Sequence, residues 1–130
     1  MRTNDVVSRS VSVDAVPSAV LEVLGDPQAL PRWAPRFAEH ARTSAADRWV
    51  VGAGGEEFEI RVRAGRHTGT VDFLALDEER GLFARVVSNG EGSAVVLTLV
   101  LPAATPADVI EREIGVLERE LQAVRALCEA

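Results

Sequence analysis

PADVIEREIGVLERELQAVRALCEA, residues 106–130, is the stretch that decides the fold. Read at helical spacing it places Ile110, Ile114, Leu117, Leu121, Val124 and Cys128 on one line, with steps of four and three residues. That is the period of a continuous apolar stripe, which Val109 and Leu127 widen. Glu111, Arg112, Glu113, Glu118, Arg119, Glu120 and Arg125 fall on the other faces, which are expected to be wet. Thr105 is placed to cap the first turn, Pro106 stands where a missing N–H costs nothing, and Asp108 complements the helix dipole. Such a helix is about 36 Å long at 1.5 Å per residue. Full burial of six stripe residues gains roughly 9–18 kcal/mol gross, an upper bound. A lone helix cannot collect that gain, so the preceding hundred or so residues must supply an apolar surface for it to lie on.

The chain of 130 residues, 47% hydrophobic, fits one domain with one core, residues 1–130. Its longest apolar run, Ala94 to Leu101, is strand-sized, not membrane-spanning. Met1 to Asp5 lacks the apolar segment of a signal peptide, so a cytoplasmic location and no membrane insertion are the expectations. A single cysteine, Cys128, rules out an internal disulfide and a cysteine-based metal cluster. The formal charge of −6 argues against nucleic acid as a main partner, because phosphate binding needs a basic footprint. All 14 basic residues are Arg, so lysine Schiff-base chemistry is excluded, and the lack of Tyr excludes tyrosine acid–base roles.

Upstream of the helix the pattern is of strands. Val6 to Val13 alternates, with Val7, Arg9, Val11 and Val13 opposite Ser8, Ser10 and Ser12. Pro17 opens a short helix holding Val20, Leu21 and Leu24, and Gly25 is suited to end it in the left-handed conformation. Asp26-Pro27 starts a second short helix that runs towards Trp33 and stops before Pro35. Six further strands are expected at 37–44, 48–53, 56–64, 67–76, 82–88 and 93–101. Turn residues separate most of them: Ala45-Ala46-Asp47, Gly54-Gly55, Gly65-Arg66, Asp77 to Gly81 and Asn89 to Gly92. Such short connections imply antiparallel pairing. In the fourth strand Phe58, Ile60 and Val62 share one face, and Glu57, Glu59, Arg61 and Arg63 the other. In the last, both faces are apolar, so its outer side is expected to be covered, by a second copy in a homodimer or by the N-terminal strand.

This order of elements resembles the START-like helix-grip superfamily, also called SRPBCC. Val11 to Val20 resembles that family's first strand and helix entry, Asp26 to Trp33 its "DP…W" segment, and Asn89 to Ser93 leading into Leu97-Thr98-Leu99 its final hairpin. Nearly the whole chain is covered, and it is most similar to the polyketide cyclase/dehydrase and lipid-transport branch. The resemblance implies an α+β fold in which a curved seven-stranded antiparallel sheet wraps the long C-terminal helix, with two short helices between strands one and two. It also implies a cavity between sheet and helix for a small hydrophobic molecule. The family has no shared catalytic motif, so no catalytic residue carries over.

The candidate ligand-binding residues line that expected space. Trp33 and Phe37 lie where the second short helix returns to the sheet, as a lid or as core. Trp49, Phe58, Ile60, Val71, Phe73 and Val86 are the expected inner-face residues, with Leu74 and Leu76 competing for the face assigned to Val71 and Phe73. Ile114, Leu117 and Leu121 look in from the helix, and Thr98 offers a hydroxyl. His40 and His67 are the only histidines; His40, near Trp33 and Phe37, is the better candidate for moving a proton. Asp72 and Arg85 are charges within apolar strands, either inward to orient a ligand or outward as a surface pair. No His/Asp/Glu cluster has metal-ligand spacing, and Gly52 to Gly55 is not a phosphate loop, so neither a metal nor a cofactor is expected. Three functions follow. The first is carriage of a lipid-like or polyketide-like ligand. The second is a cyclase, aromatase or dehydratase on a polyketide-like substrate. The third is an interaction module with a filled core.

Overall fold

A computed structural model describes residues 3–76 and 80–130. The strands are β1 (Asp5–Val13), β2 (His40–Ala45), β3 (Arg48–Ala53), β4 (Glu56–Gly65), β5 (Thr70–Ala75), β6 (Gly81–Asn89) and β7 (Gly92–Leu101). The helices are α1 (Pro17–Leu24), a 3₁₀ turn at Pro27–Ala29, α2 (Leu30–Trp33) and α3 (Ala107–Glu129). All seven strands form one antiparallel sheet in the order β1-β7-β6-β5-β4-β3-β2. Strands β2 to β7 are a meander, because each break is too short for anything but a hairpin. Gly54 and Gly55, at φ 62° and 82°, make the two-residue turn between β3 and β4 that only glycine adopts cheaply. The break expected at Asp77 to Gly81 lies largely outside the described residues.

Strand β1 is the exception to the meander. It pairs with β7, Val7 opposite Leu99 and Val13 opposite Ser93, which obliges the chain to cross the sheet before β2. The two short helices make that crossing. Asp26 accepts the Gln28 N–H at 3.1 Å and caps the 3₁₀ turn, as its position beside Pro27 suggested. Gly25 does not take the left-handed conformation expected of it: its φ is −82°, and its N–H continues the helical ladder to Leu21. The reason is packing. A Cβ at Gly25 would stand 2.9 Å from the Leu21 carbonyl and 3.7 Å from Ala64 Cβ, so glycine is needed for room, not for handedness.

Helix α3 lies against β1, α1 and α2. Its N-cap position is Pro106, with no side-chain cap. Thr105 is spent elsewhere: its hydroxyl donates to the Pro102 carbonyl and its N–H to Asp5 Oδ2. Leu117, Leu121 and Val124 are buried as the stripe requires, while Ile110, Ile114 and Cys128 are partly buried. Burial extends round to Val116 and Glu120, so Glu120 does not lie on a wet face as the pattern implied. The helix is covered over a wider arc than its own apolar stripe, and a carboxylate falls inside that arc.

The core fills the space between α3, the short helices and the inner face of the sheet. Trp33, Phe73, Leu24, Leu30, Ile60, Leu97, Leu117 and Val124 are all fully buried. On the outer face of β7, β1 provides no cover: it extends the sheet edge. That face stays half-exposed at Val96, Thr98 and Val100, so the expected cover is not found among the described residues; on β6 the Phe83 ring lies across Gly81 beside Leu74. A Cβ at Gly81 would stand 2.7 Å from Phe83 Cε2 and 3.4 Å from Leu74 Cδ2.

Candidate ligand site

Strand alternation sorts the candidate residues by face. Trp49, Ile60, Val71, Phe73 and Val86 point inward, where all but the half-buried Trp49 are buried. Leu74 is therefore an outer-face residue, which resolves the competition on β5. Trp33 meets Phe73 edge-on at 5.9 Å between ring centroids; Phe37 meets Phe73 at 6.4 Å and Phe58 at 5.6 Å. The four rings form a connected row from the fully buried Trp33 to Phe58, which is 39% exposed. Such edge-to-face pairs contribute about 0.5–1.5 kcal/mol each beyond area. Leu117 and Leu121 are buried on α3, and Ile114 is half-buried.

Two candidates point the other way. Thr98 pairs with Ser8 on the outer face, their hydroxyls 2.9 Å apart. His40 stands opposite Gly52 on the outer face, and its Nε2 lies 3.0 Å from Glu57 Oε2. Its ring occupies the space that glycine leaves: a Cβ at Gly52 would be 2.1 Å from His40 Cε1. The hydrogen bond to His40, then the Arg42 charge, hold the Glu57 carboxyl below the usual range. The reason for the misplacement is the start of β2. Residues 37–39 are not strand, so nearness to Phe37 along the chain does not set the face of His40; its pairing with Gly52 does. Asp72 and Arg85 also face outward, as a surface ion pair at 2.8 Å. His67 is exposed in the turn between β4 and β5. None of these five groups lies in the interior, and among the described residues no three His, Cys, Asp or Glu side chains converge as a metal site.

Among the described residues two clefts lie at the rim of the sheet–helix interior. One of about 420 Å³ is walled by Leu21, Glu22, Gly25 and Asp26 at the end of α1, and by Ala64, Gly65, Arg66, Thr70 and Val71 from β4 and β5. Val71, one of its lining residues, is buried core, and the next inner-face residue on that strand is Phe73, which packs edge-on against Trp33. A second, more open cleft of about 340 Å³ lies between the end of β1, the β6–β7 turn and Arg125 and Glu129 of α3. Apart from Val71, sequence reading missed the residues of the first cleft. Gly25 and Gly65 were the available signal, but both were read as breaks only.

Two buried polar groups stand out. The Trp33 Nε1–H is buried with no acceptor among the described residues. Glu120 is 6% exposed, and burial pushes its carboxyl up to about 7; Glu113 adds repulsion, and Arg119 pulls the other way. Cys128 is half-buried, and its thiol is raised, first by burial and then by Glu129.

No protein-family model matches the chain, and neither does any curated protein. Solved structures do. The protein XoxI from Bacillus cereus superposes with a TM-score of 0.78 at 14% identity, over 95% of this chain and 94% of that one. A START superfamily protein from Mycobacterium smegmatis gives 0.76 at 17% identity, over 95% and 97%. The fold is the helix grip. An Aha1 dimer from Colwellia psychrerythraea shares that grip, with a TM-score of 0.76 at 10% identity over 96% of each chain. The likeness read from the sequence is thus met at the level of fold. In this chain the described residues give the grip a packed interior with a cleft at its rim.

Proposed function

We propose that the protein binds a small apolar molecule, taken up through the cleft between the end of α1 and the β4–β5 hairpin. The observation that carries this reading is the cleft itself. Its volume of about 420 Å³ lies within the range of small-molecule sites, and one of its lining residues, Val71, is buried core. Leu21 and Val71 offer apolar wall, while Glu22, Asp26, Arg66 and Thr70 set a polar rim that orients an occupant. The driving force is removal of apolar area from water, about 25 cal/mol per Å². Lipid-like and polyketide-like molecules fit that description. The cyclase reading gains no support from His40, Asp72 or Arg85, which face away from the interior.

The test is titration with 2-ethylnaphthalene, followed by tryptophan fluorescence, for the wild-type protein and Ala64→Phe. Ala64 is exposed at the cleft wall, so the larger ring fills the opening without entering the core. The expected result is saturable binding that weakens at least tenfold in the variant at unchanged melting temperature. Absence of binding to the wild-type protein would discard the reading.

A second reading, an interaction module with a filled core, has the packed interior in its favour. Its surface would be the outer face of β1 and β7, where Val6 is 59% exposed beside Val100. A solved Aha1 of the same fold is a dimer. Sedimentation velocity of the wild-type protein against Val6→Glu decides it: a dimer that the charge dissolves supports self-association, and a monomer in both removes it.

A further inference from the structure

Among the described residues two buried side-chain N–H groups lack a hydrogen-bond partner, and of these Arg61 Nε stands 3.3 Å from Asp47 Oδ2 while the Trp33 indole has no such charge beside it. Trp33 sits at the end of α2, is 1% exposed, and presses edge-on against Phe73. Its Nε1–H is buried and meets no acceptor among the described residues. A buried N–H left unpaired costs about 1–3 kcal/mol, and native interiors rarely keep one without a reason. Phenylalanine would have filled most of the same space with no polar atom. The position of this donor relative to the cleft is informative. From Val71 at the cleft, the next inner-face residue is Phe73, and Trp33 lies on Phe73. Trp33 is not a wall of the cleft, and Val71 and Phe73 are each 1% exposed, so an occupant reaches the indole by displacing core side chains.

We infer that Trp33 is the polar anchor of the site: its Nε1–H donates to a hydrogen-bond acceptor, a carbonyl or ether oxygen, on an otherwise apolar ligand. This rests on the ligand-binding reading above and narrows it. A plain hydrocarbon leaves the donor unpaired. An apolar molecule with one oxygen acceptor set back from its leading edge satisfies it. The same physics makes the donor a filter, because a ligand that brings its own N–H or ammonium group to this point sets donor against donor.

The test uses two near-isosteric probes, 2-acetylnaphthalene and 2-ethylnaphthalene, against the wild-type protein and Trp33→Phe. The quantity read is the ketone-to-hydrocarbon affinity ratio, compared between the two proteins. That double ratio cancels the different hydration of the probes and the apolar area lost with the indole. A net hydrogen bond makes it threefold to tenfold higher in the wild-type protein. Independently, the wild-type protein has two indole N–H signals, from Trp33 and Trp49, assigned with Trp49→Phe. The ketone moves the Trp33 signal downfield and the hydrocarbon does not. This arm also decides the matter if Trp33→Phe fails to fold. Binding of both probes with equal ratios in the two proteins, or with an unmoved Trp33 signal, overturns the anchor while leaving ligand binding intact. Binding of neither overturns both, and marks the indole N–H as the partner of a structural water.

Discussion

Glu120 is the residue at which the helical pattern and the packed molecule disagree most. By spacing it belongs to the flank of the apolar stripe, and a reading by residue type assigns any glutamate there to solvent. Burial is instead set by what α1, α2 and β1 bring against the helix, and it reaches Glu120. The consequence is a pH dependence of definite sign. The folded carboxyl titrates near 7 and the unfolded one near 4.5, so between these values the native state holds a proton that the unfolded state has lost. The neutral carboxyl's contribution is fully present below the unfolded value and is lost as pH rises through about 7. The magnitude is roughly 2–3 kcal/mol across that window. Glu120→Gln should flatten the dependence, and denaturant unfolding at pH 5 and pH 8 measures it. Glu129 works in the opposite direction at lower pH. The Asp14 N–H, then Arg125, hold its carboxyl down, so its support is lost as pH falls through its folded value, below 4.5.

At the scale of elements, hairpins were the most legible part of the chain, because turn chemistry is local. Gly54-Gly55 and Asn89 to Gly92 mark turns by residue type alone, and the β3–β4 and β6–β7 pairings follow. Tertiary demands were not legible. Gly69, at φ 69°, looks like any turn glycine, yet a Cβ there would stand 2.4 Å from the Val86 carbonyl oxygen. Its own carbonyl accepts the Val86 N–H at 2.8 Å, so the β4–β5 turn is stitched to β6 at this point. Gly55 has a similar φ of 82° with nothing within 4 Å. The contrast makes a paired prediction. Gly55→Ala carries only the cost of the left-handed conformation, about 1–2 kcal/mol. Gly69→Ala adds a collision with backbone that cannot swing away, and should lose at least about 2 kcal/mol more. Chemical denaturation of the two variants side by side measures the difference. The same limit explains the site residues. Inner-face assignments for Ile60 and Val86 needed only period-two alternation, whereas Val71 and Phe73 needed their pairing with Ala64 and Val62 to decide against Leu74 and Leu76. His40 needed its partners across the sheet, Gly52 and Glu57, which nearness to Phe37 along the chain does not reveal.

For the whole molecule, the question is whether the grip is closed by packing or merely drawn shut around a space. The sequence supplied the long helix and the sheet it lies on, but the volume between them is a sum over many side chains and is not written in any one pattern. In the structure Leu117 of α3 is 1% exposed within a core that also holds Trp33, Leu24, Leu30 and Phe73. A packed interior has no room for a larger side chain there. Leu117→Trp should then cost about 1–3 kcal/mol by overpacking, visible as a melting temperature several degrees lower. Leu117→Ala should cost about 2–5 kcal/mol and leave a void. The two variants must also differ in binding. The void lowers the work of admitting an apolar guest, so Leu117→Ala should bind 2-ethylnaphthalene more tightly than the wild-type protein despite its lower stability. A standing cavity reverses the pattern: Leu117→Trp keeps its melting temperature and loses the probe. Thermal melts and probe titrations of both variants separate the two states of the interior, because packing couples stability and uptake with opposite signs while an open cavity leaves them independent.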